Sequence, residues 1–181
     1  MTSTTATSTW NIDPAHSSAE FKVKHMMISY VRGSFSGISG VLHRFEADHT
    51  RSTLEVSVDV GTINTLDPQR DGHLKSPDFF HAEKFPAMTF KSTHIERQGD
   101  GFAVTGDLTI RDVTKPVVLT VEDVSEPAKD PWGNTRIGLT ATAKINRKDF
   151  GLTWNSTLET GGVLVGEDVS ITLDVQLIKA A

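Results

Sequence analysis

Along most of its length the chain alternates apolar and polar residues with a period of two, the pattern of a strand with one buried and one wet face. Ala19, Phe21, Val23 and His25 share one face against Glu20, Lys22 and Lys24. The clearest case sets Leu54, Val56, Val58 and Val60 against Glu55, Ser57 and Asp59. Met88 and Phe90 alternate with Thr89 and Lys91, and after the turn Gln98-Gly99-Asp100-Gly101 the pattern continues through Phe102, Val104, Leu108 and Ile110. Val117, Leu119 and Val121 form a further inward row, with Pro116 at a strand's first position, where a missing N–H is tolerated. Ile137, Leu139, Ala141, Ala143 and Ile145 make another, and Val169, Ile171, Leu173, Val175 and Leu177 close the series. The count is eight strands or slightly more.

That many antiparallel strands, each with one apolar face, build either a sandwich or a closed barrel. Strands of this length with glycine at the bends favour closure, and the fold class expected is all-β, an extended antiparallel lipocalin-like barrel with one or two short helices. Gly33, Gly37 and Gly40 lie inside a strand-like stretch around Phe35, where glycine marks bulges, bends or close approach. An eight-stranded barrel is about wide enough inside for one small ligand. Small residues at the inward positions Gly33, Gly37, Gly106, Ala141 and Ala143 leave volume for a cavity, although relief of crowding at barrel corners accounts for them equally well.

One stretch breaks the alternation, DPQRDGHLKSPDFFHAEKFPAMTF from Asp67 to Phe90. Asp67-Pro68 is a helix start, an acceptor at the N-cap followed by a ring preset to helical φ, and Ser76-Pro77-Asp78 repeats the signal. Two short helices in tandem are expected. Leu74, Phe79, Phe80 and Phe85 supply an apolar face to cover the open end of the barrel, and Arg70, Asp71, Lys75, Asp78, Glu83 and Lys84 a charged one.

Composition narrows the chemistry. With 181 residues the chain is long enough for one domain with a sizeable core, expected over residues 10–181, and its Thr/Ser-rich residues 1–9 read as a disordered tail. The absence of cysteine excludes disulfides, thiol catalysis and Cys-based zinc sites. A net charge of −5, with both signs well mixed, argues against nucleic acid as a partner. The N-terminus has no basic and no apolar signal region and no run is long enough to span a bilayer, so a cytoplasmic protein is expected. His73 and His81 stand eight apart without an HExxH pattern, and Gly33-Ser34-Phe35-Ser36-Gly37 has phenylalanine where a nucleophile elbow needs serine. No metal, cofactor or catalytic group is expected. Asn155-Ser156-Thr157 matches a glycosylation sequon, discounted in a chain read as lacking a leader. An inward His25 is either a satisfied core histidine or the partner of a ligand's polar end. The clusters Arg70-Asp71-x-His73 and Arg147-Lys148-Asp149 read as structural ion pairs or, for the first, as a head-group site.

Taken in order, Trp10-Asn11-Ile12-Asp13 with His16-Ser17, Phe21-x-Val23-Lys24-His25, Gly33-x-Phe35, Arg70-Asp71-x-His73-Leu74, Phe79-Phe80, Phe85-Pro86, Gly106-Asp107-Leu108-Thr109-Ile110, Val113-Thr114-Lys115-Pro116-Val117 and Asn146-Arg147-x-Asp149-Phe150-Gly151 resemble the YceI-like family of polyisoprenoid-binding proteins. The resemblance implies a barrel whose apolar tunnel holds a long amphiphile, an isoprenoid quinone-like or fatty-acid-derived lipid, with a helix beside the mouth. Many relatives of this kind are periplasmic. Phe21, Val23, His25, Phe35, Val56, Val58, Phe80, Phe90, Leu108, Leu139, Ala141, Phe150, Ile171 and Leu173 are the expected tunnel residues, and His25, Arg70, Asp71 and His73 the head-group candidates. The expected function is carriage or storage of such a lipid. Two other readings stay open: an enzyme acting on the lipid with His25 as acid or base, and a packed-core interaction barrel without ligand. Homodimerisation through the outer sheet face or the region of Trp132 is also left open.

Overall fold

A computed structural model describes residues 6–181. Its strands are β1 (Thr7–Ile12), β2 (Ser18–His25), β3 (Ser29–Phe35), β4 (Ile38–Phe45), β5 (Thr53–Asp59), β6 (Ala87–Gln98), β7 (Gly101–Ile110), β8 (Val113–Glu122), β9 (Ala128–Lys129), β10 (Thr135–Asn146) and β11 (Val165–Lys179), with one α-helix, α1 (Pro68–Lys75). The expected tail is corrected in part. Residues 1–5 lie outside the described residues, whereas Thr7–Thr9 are strand, paired with His43–Phe45 and continuous with Trp10, which is 1% exposed. Burying that indole fixes the residues before it.

Pairing is antiparallel throughout and runs β1-β4-β5-β6-β7-β8-β10-β11 and back to β1, a closed circuit of eight. β2 and β3 extend β1 and β4 as one long ribbon, since Asn11 faces Val41 and, beyond a break in each strand, Ala19 faces Phe35. β11 serves both halves of that ribbon: Leu177–Lys179 pair with β1, and Val165–Asp174 with β2. At one end of the barrel stand the β2–β3 tip, the β5–β6 connection with α1, and the segment between β10 and β11. That end is the mouth. There β8 and β10 part company, their pairing limited to Thr120–Glu122 against Thr140–Thr142, and the 3-10 turn Arg147–Phe150 fills the divergence with Phe150, 2% exposed.

The small inward residues turn out to have a packing role. A Cβ on Gly33 would lie 2.4 Å from Cζ of Phe21, and one on Gly106 would lie 2.4 Å from Cζ of Phe90. At these two positions the missing side chain is replaced by a neighbouring ring laid flat on the strand, so neither glycine contributes empty volume of its own.

The helical segment holds one helix where two were expected. Asp67 caps α1 as its sequence suggested, its carboxylate accepting from the N–H groups of Gln69 (3.0 Å) and Arg70 (3.2 Å). At Ser76 the helix stops, the Oγ donating to the carbonyl of His73 at 2.6 Å. The N–H groups of Phe79, Phe80, His81 and Ala82 then turn back to the carbonyls of Ser76, Leu74, Ser76 and Lys75, and His81 takes a φ of +51°. The bonds to Leu74 and Lys75, with those from Ser76 to His73, satisfy orphan carbonyls of the helix's last turn, and the bonds to Ser76 close the turn, so no second helix starts at Pro77. The fold-back points both Phe79 and Phe80 at the barrel. Among the described residues no helix is long and apolar enough to cross a membrane.

Candidate lipid tunnel

Alternation places every second side chain of each strand inside the barrel, and the interior is not filled. A cavity of about 290 Å³ occupies the mouth half and a smaller one of about 120 Å³ the far half. Both touch Val56, Leu119 and Leu173, which form a waist between them. Twelve of the fourteen expected tunnel residues line the larger cavity; Leu139 and Ala141 line the smaller one. Phe21, Val23, Val56, Val58, Ile171 and Leu173 all face inward yet are only half-buried. Apolar side chains that point into a barrel and stay accessible describe a hollow interior.

The mouth is framed by aromatic rings. Phe21 stacks obliquely on Phe35 at 5.7 Å between centroids, and Phe80 meets Phe35 edge-on at 5.8 Å. On the other side His73, Phe79 and Trp154 form a triangle, with His73 4.7 Å from Trp154 and 5.1 Å from Phe79. Edge-to-face geometry of this kind adds modestly to burial and fixes ring orientation. His73 is further held by Asp78, 2.9 Å from its Nε2. Trp154 gave no periodic signal in the sequence, because it sits in the irregular segment before β11; a tryptophan among Thr, Asn and Ser was the only cue.

Polar groups at the mouth are few and differ from expectation in three ways. His25 lines the cavity but is half-buried at the rim, and among the described residues no side chain hydrogen-bonds its ring. Arg70 and Asp71 do not pair with each other. They grip the buried Thr65 from two sides: Asp71 accepts from its N–H (2.9 Å) and Oγ1 (2.6 Å), while Arg70 donates to its Oγ1 (2.8 Å) and carbonyl (2.7 Å). This leaves Arg70 and His73 on the cavity wall and takes Asp71 off it, so Asp71 is a clamp for the turn entering α1 rather than a head-group contact. Arg147, 5% exposed, has no carboxylate partner either among the described residues. Its guanidinium donates to the carbonyls of Gly166 (2.7 Å), Leu152 (2.7 Å), Trp154 (3.0 Å) and Val165 (3.2 Å), and burial pushes its pKa down. One cation thereby shapes the whole β10–β11 segment and contributes to the cavity wall. Asn155, the sequon asparagine, is engaged in the same segment, its Nδ2 donating to Val165 at 2.7 Å.

The sequence profile of the YceI-like domain matches residues 10–177, nearly the whole barrel. The chain belongs to the YceI-like family. A UPF0312 protein of Photorhabdus laumondii is 37% identical over 140 residues, 77% of this chain and 72% of that protein. The YceI protein of Campylobacter jejuni, solved by crystallography, superposes with a TM-score of 0.72 at 33% identity and covers 88% of this chain and 91% of its own. A polyisoprenoid-binding domain from Saccharophagus degradans shares the fold at 14% identity, with a TM-score of 0.66 over 94% of this chain and 98% of that one. For a YceI-like barrel the hollow, aromatic-rimmed interior is therefore the feature to explain.

Proposed function

We propose that this protein binds a long-chain amphiphilic lipid, of polyisoprenoid, isoprenoid quinone-like or fatty-acid-derived type, with its tail in the tunnel and its polar end at the rim. The observation that carries this reading is the set of inward apolar side chains that remain half-exposed around the 290 Å³ cavity. A packed-core barrel would have buried them. Its relatives support a binding role: the family and a polyisoprenoid-binding domain of the same fold. At roughly 0.8 kcal/mol per buried methylene, eight sequestered carbons contribute on the order of 6 kcal/mol before ordering losses. Long chains therefore bind and short ones do not. His25, Arg70 and His73 are the polar groups on the wall that meet the head; among the described residues no side chain hydrogen-bonds the ring of His25, and His73 is held by Asp78.

Extraction of natively expressed protein with organic solvent, followed by mass spectrometry, tests this directly. One long-chain species near one per protein is the expected result. A short-chain analogue that binds as tightly as a long one would overturn the account. Chemical conversion of the bound lipid, lost in His25→Ala while binding persists, would move the reading to an enzyme.

A further inference from the structure

The tip between β2 and β3 is built against the usual rules for an exposed turn. Ile28 N–H donates to the carbonyl of His25 at 3.1 Å, and the two residues between, Met26 and Met27, have φ of +51° and +61°. Such a turn favours Asn-Gly, because β-carbons are disfavoured in the left-handed region. Methionine at both positions costs backbone energy, and it also exposes apolar surface: Met26 is 42%, Met27 61%, Ile28 77% and Tyr30 48% accessible. Neither the turn nor the core gains from these side chains.

This tip is the edge of the tunnel mouth. His25 lines the cavity, Met26 N–H donates to the carbonyl of Leu164 at 2.7 Å, and Leu164 and Val165 line the cavity in turn. Val163, 37% exposed, extends the apolar rim, and Met27 lies against Gly162. Behind the rim the outer face of the β2–β3 ribbon carries Lys22, Lys24 and Arg32, with Lys22 Nζ and Lys24 Nζ 4.8 and 4.5 Å from the centre of the Tyr30 ring. None of the three cations is within ion-pair distance of a carboxylate among the described residues. Glu20 is the only acid on that face of the ribbon and sits in the row furthest from the tip; Glu167 and Asp168 of β11 are engaged by Lys148 and Lys144, leaving Asp149 and Glu159 as the acidic residues of the segment between β10 and β11.

We propose that the β2–β3 tip docks the tunnel mouth on an anionic lipid bilayer, with Met26, Met27 and Ile28 inserted among the head groups and Lys22, Lys24 and Arg32 against lipid phosphates. Apolar insertion and a basic cluster together give the two signals that reversible membrane attachment needs, and Tyr30 between them has the amphipathic character suited to the interface. A second copy of the chain is a poorer occupant, because tip-to-tip contact would bring like-charged clusters together. The inference rests on the lipid-binding reading, since a mouth facing the bilayer lets a chain pass between the two without crossing water.

Flotation with vesicles of phosphatidylglycerol and phosphatidylcholine, compared with phosphatidylcholine alone, tests it in the full-length protein. The variant of choice is Met26→Asn with Met27→Gly, which supplies the residues the turn prefers and is expected to melt no lower than wild type. Wild type should float with the anionic vesicles, and the double variant should lose about tenfold or more of that affinity. Raising salt from about 50 to about 300 mM should weaken wild-type binding. Equal flotation of variant and wild type, or equal flotation of wild type with neutral and anionic vesicles, overturns the proposal. So does a concentration-dependent dimer in sedimentation velocity that the variant abolishes, which would make the tip a self-association surface. Titration with a fluorescent long-chain fatty acid in the absence of vesicles separates the two claims: it should be unchanged in the variant, and its failure in wild type would count against the tunnel, not the tip.

Discussion

Arg147 illustrates how a single side chain decides local shape and how its sequence context misleads. Flanked by Lys148 and Asp149 it reads as part of an ion pair, yet the ion pair belongs to Lys148, whose Nζ is 2.6 Å from Glu167, and Arg147 serves four carbonyls instead. Sequence neighbours of a buried residue do not reveal its partners, because the acceptors come from a segment up to nineteen residues away. Arg147→Met would leave those carbonyls unsatisfied at about 1–3 kcal/mol each where water cannot replace the donor. A loss of roughly 3 kcal/mol or more in denaturant unfolding is expected; a loss below about 1 kcal/mol would mean that solvent reaches the carbonyls. Gly106→Ala makes a second residue-level case. Its Cβ would lie 2.4 Å from the Phe90 ring and 2.6 Å from the carbonyl of Lys91, so the ring and the β6–β7 backbone must both give. The expected cost is about 1–3 kcal/mol, with weaker binding of long chains measured alongside the melting temperature.

At the scale of elements, the strands were legible because each has one wet face, and period two then assigns the inward residues without further information. The inward faces of β5, β10 and β11 were read correctly residue by residue down to Leu173 and Ile171. The turn after α1 was not legible. Ser76-Pro77-Asp78 carries the composition of a helix start, and only the return of the Phe80 and Ala82 N–H groups to α1 and of the Phe79 and His81 N–H groups to Ser76 shows that it ends one instead. Asp71 was misplaced for a related reason, since the residue it clamps, Thr65, precedes the helix and carries no motif. Another clasp crosses elements on the outer wall: Arg136 of β10 donates from Nη1 to Asp13 and from Nε to Asp130, both at 2.7 Å. The guanidinium of Arg136, helped by His16, lowers Asp13 to about 2, and Arg136 holds Asp130 well below the usual carboxylate range. Both groups are depressed in the folded state, so their contribution is present above the unfolded carboxylate value near 3.9 and is lost as pH falls through the folded one. Melting temperature measured from pH about 5 down to about 2 should fall more steeply for wild type than for Arg136→Gln. Parallel curves would show that the clasp is not linked to acid stability.

For the whole molecule, the consequential feature is an interior divided by Val56, Leu119 and Leu173. The barrel class followed from strand number and alternation, whereas the waist did not, since it depends on how eight inward rows meet at one level. Leu173→Phe should narrow the passage and confine ligands to the mouth cavity, so that in a titration of a homologous chain series affinity stops rising at a shorter length than in wild type. An unchanged length optimum would place the tail elsewhere. β11 has a different kind of importance. It borders β10 along its full length, β2 at one end and β1 at the other, and the N–H of Ala180 just beyond it bonds back to Thr9 at 2.8 Å. During synthesis on the ribosome, every earlier strand can be in place while β1, β2 and β10 still present open edges, and no enclosed interior exists until this segment has emerged. Nascent chains are thus most prone to pair with one another before β11 has emerged, and the interior can close only after it has.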